Sequence, residues 1–167
     1  MHIDIRPVAP AEVDAVASLA REIWQVAYLE LIGQDQIDFM LAQRYSARHM
    51  LDELARPDIW WRQLMIDGER AGFSSCHLDA AKGEMKLDKL YVHPRHQRLG
   101  LGGRLIADAD KLARQQGCQH LVLCVHKRNA PAIAAYGKHG FAVREPVYID
   151  IGGGYVMDDY LMAKSVI

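Results

Sequence analysis

From Leu87 to Gly103 the chain reads Leu-Asp-Lys-Leu-Tyr-Val-His-Pro-Arg-His-Gln-Arg-Leu-Gly-Leu-Gly-Gly. Its first part is strand-like, Pro94 marks a turn, and Gln97-Arg98-Leu99-Gly100-Leu101-Gly102 is a glycine-bearing loop opening a helix. Glycine has no Cβ, so the backbone N–H groups of such a loop can approach an anion closely. N–H groups at a helix start lack helical partners and carry partial positive charge, which suits phosphate. Arg98 and Arg104 add full charges on either side of Gly103. The chemistry this stretch predicts is the grip of a phosphate or pyrophosphate. A P-loop would end in Gly-Lys-Ser/Thr, and Gly103-Arg104-Leu105 stands there instead. A dinucleotide-binding loop would need a third glycine at Leu105. Both are excluded.

A second block runs Asn129-Ala-Pro-Ala132-Ile-Ala-Ala-Tyr136-Gly-Lys138-His-Gly140-Phe141. Asn129 is a good helix N-cap, and Pro131 is tolerated in the first turn. Ala132, Ala135 and Tyr136 share a face, and Gly140 suits the C-cap. Gln-x-x-Gly-x-Gly after a strand ending Val-x-Pro, followed by Asn-x-x-Ala-x-x-x-Tyr-x-x-x-Gly-Phe, resembles the GCN5-related N-acetyltransferase superfamily. The two blocks cover about a third of the chain.

The resemblance implies transfer of an acetyl group from acetyl-coenzyme A to an amine. It assigns the pyrophosphate to Gln97, Arg98, Leu99, Gly100, Leu101, Gly102, Gly103 and Arg104. The amides of the pantetheine arm fall to the strand edge Leu90, Tyr91 and Val92, splayed from the following strand. Asn129, Ala132, Tyr136 and Lys138 complete the cofactor site, and Lys127-Arg128 suit contact with a phosphate. Tyr136 matches the family's tyrosine acid, protonating the departing thiolate; an unperturbed phenol has a pKa of about 10. The base is less plain. Many relatives carry a glutamate six residues before the position of Val92, where this chain has Lys86, or five residues before the helix asparagine, where it has Cys124. Asp88 has the strand parity of Leu90 and Val92. His126 precedes the Asn129 helix and has a titratable ring. These two, or a chain of waters, are the candidates.

Two further stretches, Ile23 to Leu41 and Asp150 to Tyr160, resemble the branch that includes spermidine/spermine-type acetyltransferases. Trp24 and Tyr28 lie one helical turn apart and can line a cleft, and Tyr28 with Glu30 can cradle a cation. Asp158 and Asp159 point to opposite faces of one strand, and Asp158 is assigned to the acceptor pocket. The acceptor expected is a small polyamine-like amine. A protein N-terminus or lysine is the alternative, and a non-catalytic acetyl-coenzyme A sensor is a second.

Bulk properties narrow the field. The chain has 167 residues and a net charge of −1, half of its residues are hydrophobic and a quarter charged. Near-neutral charge argues against a nucleic-acid partner. No apolar run approaches the ~20 residues that span a bilayer, and Met-His-Ile-Asp-Ile-Arg-Pro contains no signal core. Cys76, Cys118 and Cys124 lack metal-ligand spacing, so no metal is expected. Cys124 lies in the apolar run Leu121–Val125 and reads as core. The reading is a reduced, cytoplasmic protein; family habit implies a homodimer.

The elements that must hold these residues follow from periodicity. Strands are expected at His2–Arg6, Ile59–Ile66, Ala71–Leu78, Glu84–Val92, His120–Val125, Ala142–Ile151 and Tyr155–Ala163. Helices are expected from Pro10 to Ala27, from Gln34 to Ala42 after an interruption at Gly33, from the Ser46 cap to Pro57, from Leu101 to Gln116, and after Asn129. This order predicts one α/β domain over residues 1–167: a mixed, mostly antiparallel sheet of about seven strands with helices on both faces.

Overall fold

The computed structural model describes all 167 residues. β1 (Ile3–Pro7) leads through a short 3₁₀ turn into α1 (Val13–Ala27), whose Val13, Val16, Ala20, Ile23 and Trp24 recur at helical spacing and are buried together. α2 (Leu29–Arg44) comes at once after it. Gly33 kinks it with φ 78° and ψ 166°, so the expected interruption bends a helix rather than preceding one. Ser46 caps α3 (Ala47–Leu54), its Oγ accepting from His49 N–H at 3.2 Å. β2 (Ile59–Ile66) and β3 (Glu69–Asp79) form a hairpin around Asp67-Gly68, both at positive φ. Then come β4 (Glu84–Val92), α4 (Leu101–Gln115), β5 (His120–His126), α5 (Ala130–Lys138), β6 (Ala142–Gly152) and β7 (Tyr155–Ser165).

The seven strands form one sheet in the order β1-β2-β3-β4-β5-β7-β6. Every neighbouring pair is antiparallel except β4 and β5. α1, α2 and α3 cover one face, burying Trp61 and Phe73. α4 covers the other through Leu105, Ile106, Ala109 and Leu112, packed on Leu64, Met85, Leu87 and Leu121.

Two irregularities in β4 set the geometry at the centre of the sheet. The parallel ladder with β5 covers only Glu84–Lys86 against His120–Val122, after which the strands part. On its other side, Ser75 pairs Lys89 while Cys76 pairs Leu87, which leaves Asp88 as an extra residue in a β-bulge. The bulge reverses side-chain alternation. Met85 and Leu87 pack toward α4, and so do Leu90 and Val92, whereas Lys89 lies over the Tyr45 and Trp61 rings on the opposite face. Asp88 contacts Lys86, Lys89 and His77. It therefore does not share a face with Leu90 and Val92, because strict alternation does not survive the bulge.

Candidate active site

Leu101, Gly102 and Gly103 open α4, and Gly100, left-handed at φ 74°, is its N-cap. The first α4 hydrogen bond runs from Arg104 N–H to the Gly100 carbonyl at 3.2 Å. The six consecutive N–H groups from Arg98 to Gly103 therefore have no acceptor within the chain. Arg98, at φ 66°, is also left-handed, which turns this run of amides into a concave nest. A Cβ built on Gly102 meets nothing within 4 Å. The Gln97 amide donates to the Val92 carbonyl at 3.3 Å, fastening the loop to the end of β4. These features fit a pyrophosphate. Leu99 and Arg104 are exposed beside the nest, and Lys138 is exposed at the end of α5.

Where β4 and β5 part there is a cavity of about 100 Å³. β4 contributes Leu90, Tyr91 and Asp88 to its wall, and β5 contributes Cys124 and His126. α5 adds Asn129, Ala132 and Tyr136. Its roof is Trp24 and Tyr28 with Gln36, Met40 and Arg44 of α2, and its far wall includes Asp159 of β7. The Asn129 side chain accepts from Ala132 N–H at 3.4 Å, which starts α5 at the cavity's rim. Burial pushes the Tyr136 phenol well above its ordinary value, so Oη keeps its proton at neutral pH. The Tyr136 ring packs edge-on against Phe141 at 5.9 Å.

The two expected base candidates are engaged by their neighbours. Burial opposes ionisation of Asp88, but Lys89, His77 and Lys86 together outweigh it and hold the carboxyl well below the usual carboxylate range. A carboxylate so stabilised is a weak base. His126 Nδ1 accepts from the Arg128 N–H at 3.1 Å. That bond places the proton of the neutral ring on Nε2, so neither nitrogen offers a free lone pair. Cys124, expected in the core, is half-buried in the cavity wall, and burial pushes its thiol up.

Other assignments also change. Asp158 pairs with Lys127 at 2.7 Å outside the cavity, and the residue that faces inward is Asp159, 5 % exposed. Glu30 is exposed in the first turn of α2 and away from the cavity, while Tyr28 Oη instead pairs with Tyr91 Oη at 3.0 Å. The Tyr28–Glu30 cation cradle is therefore not formed. Lys127 and Arg128 are engaged by Asp158 and by the Leu31 carbonyl rather than left for a phosphate. Asp159 and Arg44 were not singled out from the sequence. The alternation of Asp158 with Asp159 was the one signal that could have pointed to the first of them.

Comparison with known proteins supplies the family and the fold. The sequence matches the acetyltransferase (GNAT) family over residues 14–141. It is 27 % identical over 149 residues to a spermidine N(1)-acetyltransferase of Thermoplasma acidophilum, covering 87 % of this chain and 91 % of that one. It is 32 % identical over 134 residues to an IAA acetyltransferase of Azospirillum brasilense, covering 77 % and 86 %. The fold superimposes with a TM-score of 0.85, at 26 % identity and 99 % coverage of both chains, on the PaiA N-acetyltransferase of Thermoplasma acidophilum in complex with coenzyme A. No helix is long and apolar enough to cross a membrane. A nest of free amides beside a split sheet, on a chain matched over most of its length, makes this protein a member of the GNAT family and an acetyl-coenzyme A-dependent N-acetyltransferase.

Proposed function

We propose that the acceptor is a small cationic amine of the polyamine type, taken into the cavity between β4 and β5, with Tyr136 as the general acid. The observation that carries this reading is Asp159, a buried carboxylate facing a cavity roofed by the Trp24 and Tyr28 rings. A buried carboxylate favours a cationic partner, and aromatic faces add to the attraction. The spermidine acetyltransferase named among the relatives supports the same class.

Bound acetyl-coenzyme A supplies an activated acetyl thioester. The N–H groups of Arg98 to Gly103 hold the pyrophosphate, with Arg98 and Arg104 adding charge. The β4 edge from Leu90 to Val92, unpaired by β5, offers backbone groups to the amides of the arm. Tyr136 Oη holds the proton that the departing sulfur takes, and Trp24, Tyr28 and the α2 side chains roof the cavity above it. Asn129 and Ala132 form the rim.

The test is free-thiol release from acetyl-coenzyme A, followed with a thiol reagent, across a panel of amines led by spermidine and spermine. Turnover with these amines is expected. Release only with peptides or with a protein N-terminus would overturn the small-amine reading.

A further inference from the structure

Resting on the proposed cationic acceptor, we infer that Asp159 is the proton acceptor for the incoming ammonium. The geometry singles it out. Of the carboxylates lining the cavity, Asp88 is tied up by two lysines, with Lys89 Nζ at 2.7 Å and Lys86 Nζ at 3.5 Å, and has His77 Nε2 at 3.5 Å. The other buried acid nearby, Glu53, accepts from Trp61 Nε1 at 2.9 Å and lies 3.5 Å from both His49 and His77. Asp159 forms no side-chain hydrogen bond or ion pair, although it is 5 % exposed and its β7 neighbour Asp158 is paired.

The groups around it have other states or duties. From β5, His126 stands opposite Asp159 in the ladder with its Nδ1 lone pair engaged, and Cys124 is a thiol. From α2, Arg44 supplies a fixed positive charge, and from β4 come Lys86 and the salt-bridged Asp88. Tyr28 beside α1 and Tyr136 on α5 are phenols that burial keeps protonated. Only Asp159 combines an open lone pair, access to the cavity and no partner. Burial also pushes its carboxyl up, the direction that makes it a stronger base.

The proton count closes. One ammonium proton passes to an Asp159 Oδ and later leaves to solvent. The freed nitrogen lone pair forms the C–N bond as the C–S bond breaks and its electron pair goes to sulfur. Sulfur takes the Tyr136 Oη proton, and the second nitrogen proton restores the phenol. No oxidant or further reactant is needed.

The experiment compares wild type with D159N, which keeps the shape. Coenzyme A affinity, measured by calorimetry without turnover, is expected to be unchanged and verifies folding. The kcat for spermidine is expected to fall by about 10²-fold or more, with the acidic limb of the kcat–pH profile lost. A ¹³C carboxyl titration of the ligand-free wild type is expected to place Asp159, identified by the signal missing from D159N, above the usual carboxylate range of about 4. A kcat equal to wild type with only KM raised would overturn the inference, leaving Asp159 as an anchor for charge. So would a carboxyl titrating in the ordinary range. A wild type silent with every amine would overturn the reading of function itself, and this inference with it.

Discussion

Lys89 Nζ lies 2.7 Å from Asp88 Oδ2, in a bulge of β4 that turns the lysine onto the aromatic face. The ammonium is 5.0 Å from the Trp61 ring centroid and 3 % exposed, so its charge is balanced by one carboxylate and two rings. Removing one member of a buried pair strands the other. K89M is expected to destabilise the fold at pH 7 by about 3 kcal/mol, read by urea denaturation. The sign with pH comes from Asp88, whose folded carboxyl is depressed. Its contribution is fully present above the unfolded value of about 3.9 and fades as pH falls from there. The gap between wild type and K89M should therefore narrow below about pH 4. A gap that widens in acid would refute the pairing.

Gly102 separates folding from binding. It sits inside the first turn of α4, and a Cβ there meets nothing within 4 Å. G102A should raise thermal stability slightly, by up to about 1 kcal/mol from helix propensity. The same methyl crowds the nest, so coenzyme A affinity should fall by about tenfold. Calorimetry and a melting curve on one preparation read both. Unchanged affinity would remove Gly102 from the pyrophosphate site.

Y136F deletes a hydroxyl that bonds to nothing in the chain while leaving the ring against Phe141. The melting temperature should stay within a degree or two. The kcat should fall by about 10²-fold, the scale of general acid catalysis. Because burial raises the phenol, no loss of rate from its ionisation is expected below about pH 10 in the wild type. Full activity in Y136F would assign the sulfur's proton to water.

S46A probes the start of α3. The Ser46 hydroxyl caps α3 at 3.2 Å, and Glu53 in the last turns of α3 holds Trp61 at 2.9 Å. The expected cost is about 1 kcal/mol. It should appear in urea unfolding with little change in coenzyme A affinity, since the nest lies on the opposite side of the sheet.

What could be read from sequence was mostly local. The Gly100 turn, the Asn129 and Ser46 caps, and the Asp67-Gly68 hairpin each depend on residues within a few positions of one another. The strand limits of β2 and β4 were legible for the same reason. Facing was not. The direction of Asp88 is decided by the offset between Ser75–Lys89 and Cys76–Leu87, a pairing of residues more than ten apart, and one unpaired residue inverts every side chain beyond it. The choice between Asp158 and Asp159 likewise depends on the β5–β7 register, in which His126 meets Asp159. Pairing of this kind is a property of the sheet, not of either strand alone.

The brief ladder between β4 and β5 gives the molecule a mechanical character. Three residue pairs join a four-strand plate, β1 to β4, to a three-strand plate, β5 to β7, and α4 spans the seam on one side. Two plates fastened at one end behave like a clothes-peg, and whatever sits in the jaws acts as a clamp. Coenzyme A at a hundred times its Kd should add about 2.7 kcal/mol to cohesion. That corresponds to a melting rise of roughly 5–11 °C for a chain of this size. Amide exchange should slow most along the jaw edges, Leu87–Val92 and Leu123–His126. The enzyme is then expected to be stiffest with coenzyme A in the jaws and slackest once it has left, with the brief β4–β5 ladder alone holding the strands together across the split.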